Sequence, residues 1–179
     1  IFSILWILFL GFMSPIAIMS GFIFGPWIGT ILTTTSFTIG SSLLYLGAKL
    51  YFVDFIKRKF SLKINKYIDL FKKNEFFYFL MFRLSGGLGI PFFIQNTLPV
   101  IFNMKLKNYF YSTLIGIIPT LFIINSLGSG IEKLILDNEN ISYKKIILEP
   151  NIYWPIIGFI LILIMSLLIR KKIFKSSKS

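Results

Sequence analysis

IFSILWILFLGFMSPIAIMSGFIFGPWIGTILTTTSFTIGSSLLYLGA, residues 1–48, carries no charged side chain; the first is Lys49. A membrane span takes about 20 predominantly apolar residues, matched to a hydrocarbon core of about 30 Å. As one straight helix this stretch would run about 72 Å at 1.5 Å per residue. It therefore has to turn within the membrane or at its edge. The residues that permit a turn are Pro15, Gly21, Gly25-Pro26 and Gly29. They divide the run into 1–13, 16–24 and 30–53. The middle piece reaches only about 13 Å, so 15–30 reads as a re-entrant helical hairpin. Irregular backbone at that depth is tolerated only inside protein or beside a water-filled cavity.

The pattern recurs downstream. Residues 76–104 hold Gly86, Gly87, Gly89, Pro91 and Pro99, too many breakers for a straight span, so 76–102 reads as a second re-entrant element. Residues 108–128, with Gly116 and Pro119, and 151–169, with Pro155 and Gly158, read as ordinary spans. The opening 1–13 lacks a basic leader and a small-residue cleavage site, and reads as part of a first span rather than a signal peptide. A shift of 76 residues places Pro15 on Pro91, Ser36 on Ser112 and Gly40 on Gly116, which suggests an inverted repeat. Paired interrupted helices in inverted repeats are the usual sequence pointer to a transport site.

Composition agrees across all 179 residues: 55% are hydrophobic, 18% aromatic and 15% charged, against roughly 25% charged in soluble domains. The expected fold is a single all-α integral membrane domain over 1–179. It has two opposed re-entrant hairpins and about four transmembrane helices. The formal net charge is +12, but the basic residues flank apolar spans, which fits anionic lipid rather than nucleic acid. Residues 49–75 hold eight basic and three acidic side chains, 170–179 five and none, and 130–150 three and four. The positive-inside rule puts 49–75 and the tail 170–179 in the cytoplasm and the loop 131–150 outside. The implied location is the bacterial plasma membrane.

With no Cys and no His, disulfides, Cys–His nucleophiles and ordinary zinc or haem sites are excluded, and no cofactor is expected. The seven acidic residues lie in loops or at span edges, so neither metal hydrolysis nor acid–base catalysis is supported. The chain does not read as an enzyme.

Arg83 is the candidate for chemistry. It follows apolar 76–82, and no charge appears again until Lys105; Arg58 and Arg170 sit in basic clusters. A charge within a span costs about 2.5–3.5 kcal/mol on insertion scales, so it either faces the protein interior or snorkels to the headgroups. Its planar fork suits phosphate, and Glu75, eight residues away, is no local partner. Half-helix N-termini around Ser20-Gly21, Gly25-Pro26 and Ser85-Gly86-Gly87 would add anion-binding N–H groups, unless the glycines serve close packing alone. Asn96, set among the breakers, is preferred over Gln95 and Asn125 as an uncharged polar contact. The hydroxyls of Thr33, Thr34, Thr35, Ser36, Thr38, Ser41 and Ser42 either line a polar path or bond back to helix carbonyls.

These residues resemble a known family. Gly21–Gly29, then Gly40 and Tyr45-Leu46-Gly47, is similar to the first signature of the DedA/VTT-domain superfamily, also called SNARE-associated Golgi protein-like. Phe79-Leu80-Met81-Phe82-Arg83, followed by Pro91, Asn96, Phe110, Gly116 and Pro119, resembles the second. The likeness covers about 15–130. It implies facing re-entrant hairpins, lipid movement across the bilayer and a functional arginine at Arg83. The chain departs from proton-coupled members in having no carboxylate over residues 1–53. The expected function is translocation or scrambling of a phosphate-bearing lipid, phospholipid or polyprenyl phosphate. A homo-oligomer is a possible assembly. The alternatives are a non-transporting factor for envelope integrity and an ion or small-solute transporter.

Overall fold

The computed structural model describes residues 1–9, 11–51 and 71–136, with 148, 150, 153–154, 156–158, 160–161 and 164. The described residues form helices and turns and no strand. They are α1 (Phe2–Phe9), α2 (Ser14–Tyr51), α3 (Glu75–Leu84), α4 (Phe92–Thr97), α5 (Leu106–Gly116) and α6 (Ile118–Leu136), with 3-10 turns at Gly86–Gly89 and Leu98–Val100. Two stretches, Ser14–Tyr51 and Leu106–Lys133, are long and apolar enough to cross a membrane. The described residues within 151–169 are helical. Most of the basic loop 49–75, most of 137–150 and the tail 170–179 lie outside the described residues.

Helix α2 is two helical segments joined at a kink. Gly25 has φ 74° and ψ 176°, a conformation open essentially to glycine alone. Pro26 follows, where a helix start has no use for its missing N–H. The chain doubles back here. Ser20 Oγ donates to Gly29 O at 3.4 Å, although nine residues along an unbroken helix span about 13.5 Å. The 14–24 arm is longer than 16–24, and the second arm starts at Pro26 rather than at Thr30, because proline opens a helix well.

The second turn-back lies after α3. Gly86, Gly87 and Gly89 all have positive φ, at 65°, 66° and 76°, which ends the helix. The chain then restarts at Phe92 with Pro91 as N-cap. Arg83 bonds to Gln95 and Asn96, residues a straight helix would hold about 18 Å or more away along its axis. Residues 108–128 fall within the span-length stretch Leu106–Lys133, with a single turn residue, Ile117, between α5 and α6. Helix α6 continues to Leu136, so 131–136, expected in a loop, is helical.

The chain divides into two compact units. Ile1–Met13, Thr35–Arg83 and Gly87–Gly116 form one; Ser14–Thr34, Leu84–Gly86 and Ile117–Ser179 form the other. In the first, Tyr45, Phe79, Val100, Met104 and Tyr109 make an apolar core. Tyr45 stacks on Tyr109 at 4.6 Å and donates to Met104 O. In the second, Trp27 packs on Phe122 at 4.7 Å. The hairpin lies almost backbone to backbone on α6, since a Cβ on Gly21 would collide with the Asn125 backbone and one on Gly128 with Ile18 O.

The 76-residue repeat recurs in packing. Gly40 lies against Ile7, and Gly116 against Arg83; both the glycines and their partners are 76 apart. Gly11 and Gly87, also 76 apart, share φ values of 67° and 66°.

Burial departs from the pattern of a water-soluble domain. Thr33, Thr38, Ser41, Arg83, Asn96 and Asn125 are buried, whereas Phe9, Trp27, Ile31 and Leu50 are exposed. In water, large exposed apolar patches are rare. With lipid as the solvent, polar groups are the ones that must turn inward to find partners.

Candidate functional site

Arg83 sits in the last turn of α3 and is 2% exposed. Gly116 allows this, because a Cβ there would collide with the Arg83 side chain, so α5 approaches α3 closely. The guanidinium Nη1 donates to Gln95 Oε1 at 3.0 Å. Nη2 donates to Asn96 Oδ1 at 2.6 Å and to Tyr109 Oη at 3.2 Å. The rings of Phe79 and Phe92 each lie 4.9 Å from Cζ. These acceptors are all neutral. Hydrogen bonds to a charged group contribute about 1.5–3 kcal/mol each, and desolvated cation–π contacts about 2. Together they offset the several kcal/mol of effective desolvation that a buried ion suffers.

The acceptors are themselves held in place. Gln95 Nε2 donates to Ile90 O at 2.6 Å, and its amide rests on Gly87, where a Cβ would displace it. The Tyr109 hydroxyl has one proton to share between Ser41 O and Asn96 Oδ1, each at 3.2 Å. Its ring packs on Phe79 at 5.3 Å. Two buried donors have no partner in this cluster, Arg83 Nε and Asn96 Nδ2. Unpaired buried donors call for an acceptor.

Among the residues expected from sequence, the structure joins Arg83 and Asn96 directly and Gly87 through Gln95. Pro91 caps α4. Ser85 and Gly86 follow the C-terminal end of α3 rather than opening a helix, which corrects the expected N–H site at Ser85–Gly87. Glycines with positive φ stop α3 there; a short 3-10 turn covers Gly86–Gly89, and the next α-helix begins at Phe92. Gln95 contacts Arg83 as directly as Asn96 does, although Asn96 was preferred. Tyr109 was missed. Its signal is the helical spacing of Tyr109, Ser112, Thr113 and Gly116, the buried face of α5.

The other unit holds Ser20, Gly21, Gly25 and Gly29. Ser20 and Gly21 lie inside the 14–24 arm, so they are not at a helix N-terminus; the arm begins earlier, at Ser14. Gly29 faces the Asn125 side chain. Asn125 Nδ2 donates to Thr33 Oγ1 at 3.2 Å and Leu121 O at 2.8 Å. Part of the hydroxyl stripe takes the second of its two expected roles, bonding back to helix carbonyls. Thr33 donates to Gly29 O at 2.7 Å and Ser42 to Thr38 O at 2.7 Å, bonds that satisfy the hydroxyls within their own helix. Pro15 stands in the first turn of α2 and Pro119 in the first turn of α6.

Among the described residues, helices with two span-length stretches, exposed apolar side chains and a buried arginine fit a membrane protein in class. The VTT domain matches residues 7–130, and the chain belongs to that family. It is 26% identical over 134 residues to the Transmembrane protein 41 homolog of Caenorhabditis elegans, covering 74% of this chain and 54% of that one. It is 29% identical over 117 residues to the Uncharacterized protein YqeD of Bacillus subtilis (strain 168), covering 64% of this chain and 55% of that one. The chain thus spans about half the length of the curated relatives it matches. No solved structure matches it.

Proposed function

We propose that this protein moves a phosphate-bearing lipid across the bilayer, with Arg83 engaging the headgroup. The observation that carries the reading is the buried guanidinium with neutral partners only and a free Nε beside the free Nδ2 of Asn96. A phosphate supplies both the missing counter-charge and the missing acceptor, and Arg binds it through parallel N–H bonds. The apolar exterior keeps lipid tails in contact with the chain while the polar interior receives the head. In this reading the turn-backs at Gly25 and at Gly86–Pro91 are re-entrant, each entering and leaving the membrane on one side. The basic loop and tail then face the cytoplasm, the membrane is the bacterial plasma membrane, and no chemical step is catalysed.

The test is reconstitution into liposomes carrying a fluorescent phospholipid, with dithionite bleaching to report headgroups reaching the outer leaflet. The expected result is bleaching beyond half of the label with wild type and return to the empty-vesicle level with Arg83→Ala. Wild-type vesicles indistinguishable from empty ones, for both a phospholipid and a polyprenyl phosphate, would overturn the reading.

A further inference from the structure

Apart from the arginine cluster, one region of the Tyr45–Tyr109 unit has unused chemistry. Phe71, Tyr78, Phe79, Phe82, Leu98 and Phe102 are among the residues lining a cavity of about 190 Å³. Apolar cavities of about 150 Å³ stay dry and accept a ring the size of benzene. This one can therefore house a length of hydrocarbon, the commonest molecule around a chain with this exterior.

The rim is basic. Lys72 and Lys73 follow Phe71 in the same helical turn, and both are exposed. Phe71 stacks on Phe102 at 4.5 Å, and exposed Lys105 comes three residues later. The nearby acid, Glu75, is engaged: its Oε1 accepts from Lys105 N–H at 3.2 Å and from Asn108 Nδ2. The three lysines are exposed and close in sequence to the lining residues Phe71 and Phe102. Bilayer-edge lysines attract anionic lipid and do not select a zwitterionic one.

We propose that this slot holds one acyl chain of an anionic phospholipid, with Lys72, Lys73 and Lys105 meeting its phosphate. Phe79 forms part of the wall and also lies against the Arg83 guanidinium, so the bound lipid firms one side of the aromatic clamp. It is a resident lipid, separate from any headgroup taken at Arg83.

The full chain, purified in a neutral detergent, is titrated with phosphatidylglycerol, with phosphatidylcholine of the same acyl chains, and with glycerol 3-phosphate, and read by native mass spectrometry. One phosphatidylglycerol is retained at about tenfold lower concentration than phosphatidylcholine, in line with the pull of several surface lysines, and glycerol 3-phosphate is not retained. K72Q/K73Q/K105Q, all at exposed positions, removes the preference, and Leu98→Trp, which fills the slot, removes retention of both lipids. The triple variant leaves Arg83 and its partners untouched, so a lost preference with an unchanged dithionite rate separates this site from the proposed transport role. Equal retention of the two lipids by wild type, or a preference that survives the triple substitution, would overturn the proposal.

Discussion

The two turn-backs solve the same problem with different chemistry. At Gly25 the chain reverses without any charged side chain, and Asn125 locks the hairpin through Thr33 and two glycines, Gly21 and Gly29. At Gly86–Pro91 it reverses around a charge, and Arg83 is gripped by Gln95, Asn96 and Tyr109 between two phenyl rings. The repeat sharpens the contrast, since the position 76 residues before Arg83 is Ile7, equally buried and packed on the matching glycine, Gly40. Close packing is what the two halves share. The cation is what only one of them has.

The comparison can be broken most severely at that cation. Arg83→Lys retains charge but loses the fork, so the lipid-translocation rate is expected to fall by about a hundredfold or more. Ile7→Val, at the repeat-related position, should lower stability by about 1 kcal/mol and leave the rate unchanged; dithionite kinetics and thermal melting read the two effects.

Packing at Gly21 gives the next effect. Gly21→Val drives a branched side chain into the Asn125 backbone and should destabilise by about 3 kcal/mol or more. Gly47→Ala, in α2 with nothing within 4 Å of its Cβ position, should be neutral or stabilising by up to about 1 kcal/mol. Equal melting temperatures for the two would contradict the close approach.

Tyr109→Phe keeps the stacking and removes the hydroxyl shared by Arg83, Ser41 and Asn96. It should cost about 1–2 kcal/mol in stability and, through the loosened Arg83, slow translocation by about tenfold, a barrier change of about 1.4 kcal/mol. Ser42→Ala removes only a bond to its own helix and should stay within about 0.5 kcal/mol, with the rate unchanged. A large loss there would restore the hydroxyl stripe as a path.

Much of this was legible in the sequence because it rests on scarce residue types. A single arginine in an apolar run, a Gly25-Pro26 pair that leaves only a short apolar piece after Pro15, and three glycines ahead of Pro91 each leave few structural options. Where several similar residues compete, composition alone does not choose among them. Nothing in Tyr109-Phe110-Tyr111 marks Tyr109 as the one that turns inward; only the register of α5 decides it. Hydroxyls are equally ambiguous, since a serine in a helix has a carbonyl one turn back always within reach. Ser85–Gly87 looked like a helix start because glycine and serine open helices, but positive φ at successive glycines closes one instead.

The most direct test of the claim that only the second turn-back carries the chemistry is a paired dithionite assay on Arg83→Gln and Asn125→Ala, at matched protein content in the same liposomes. Each substitution removes a buried hydrogen-bonding group from one turn-back. The account predicts that Arg83→Gln falls to the empty-vesicle rate while Asn125→Ala stays within about threefold of wild type, a cost under about 1 kcal/mol. Equal losses in the two variants, or a wild-type rate in Arg83→Gln, would contradict it.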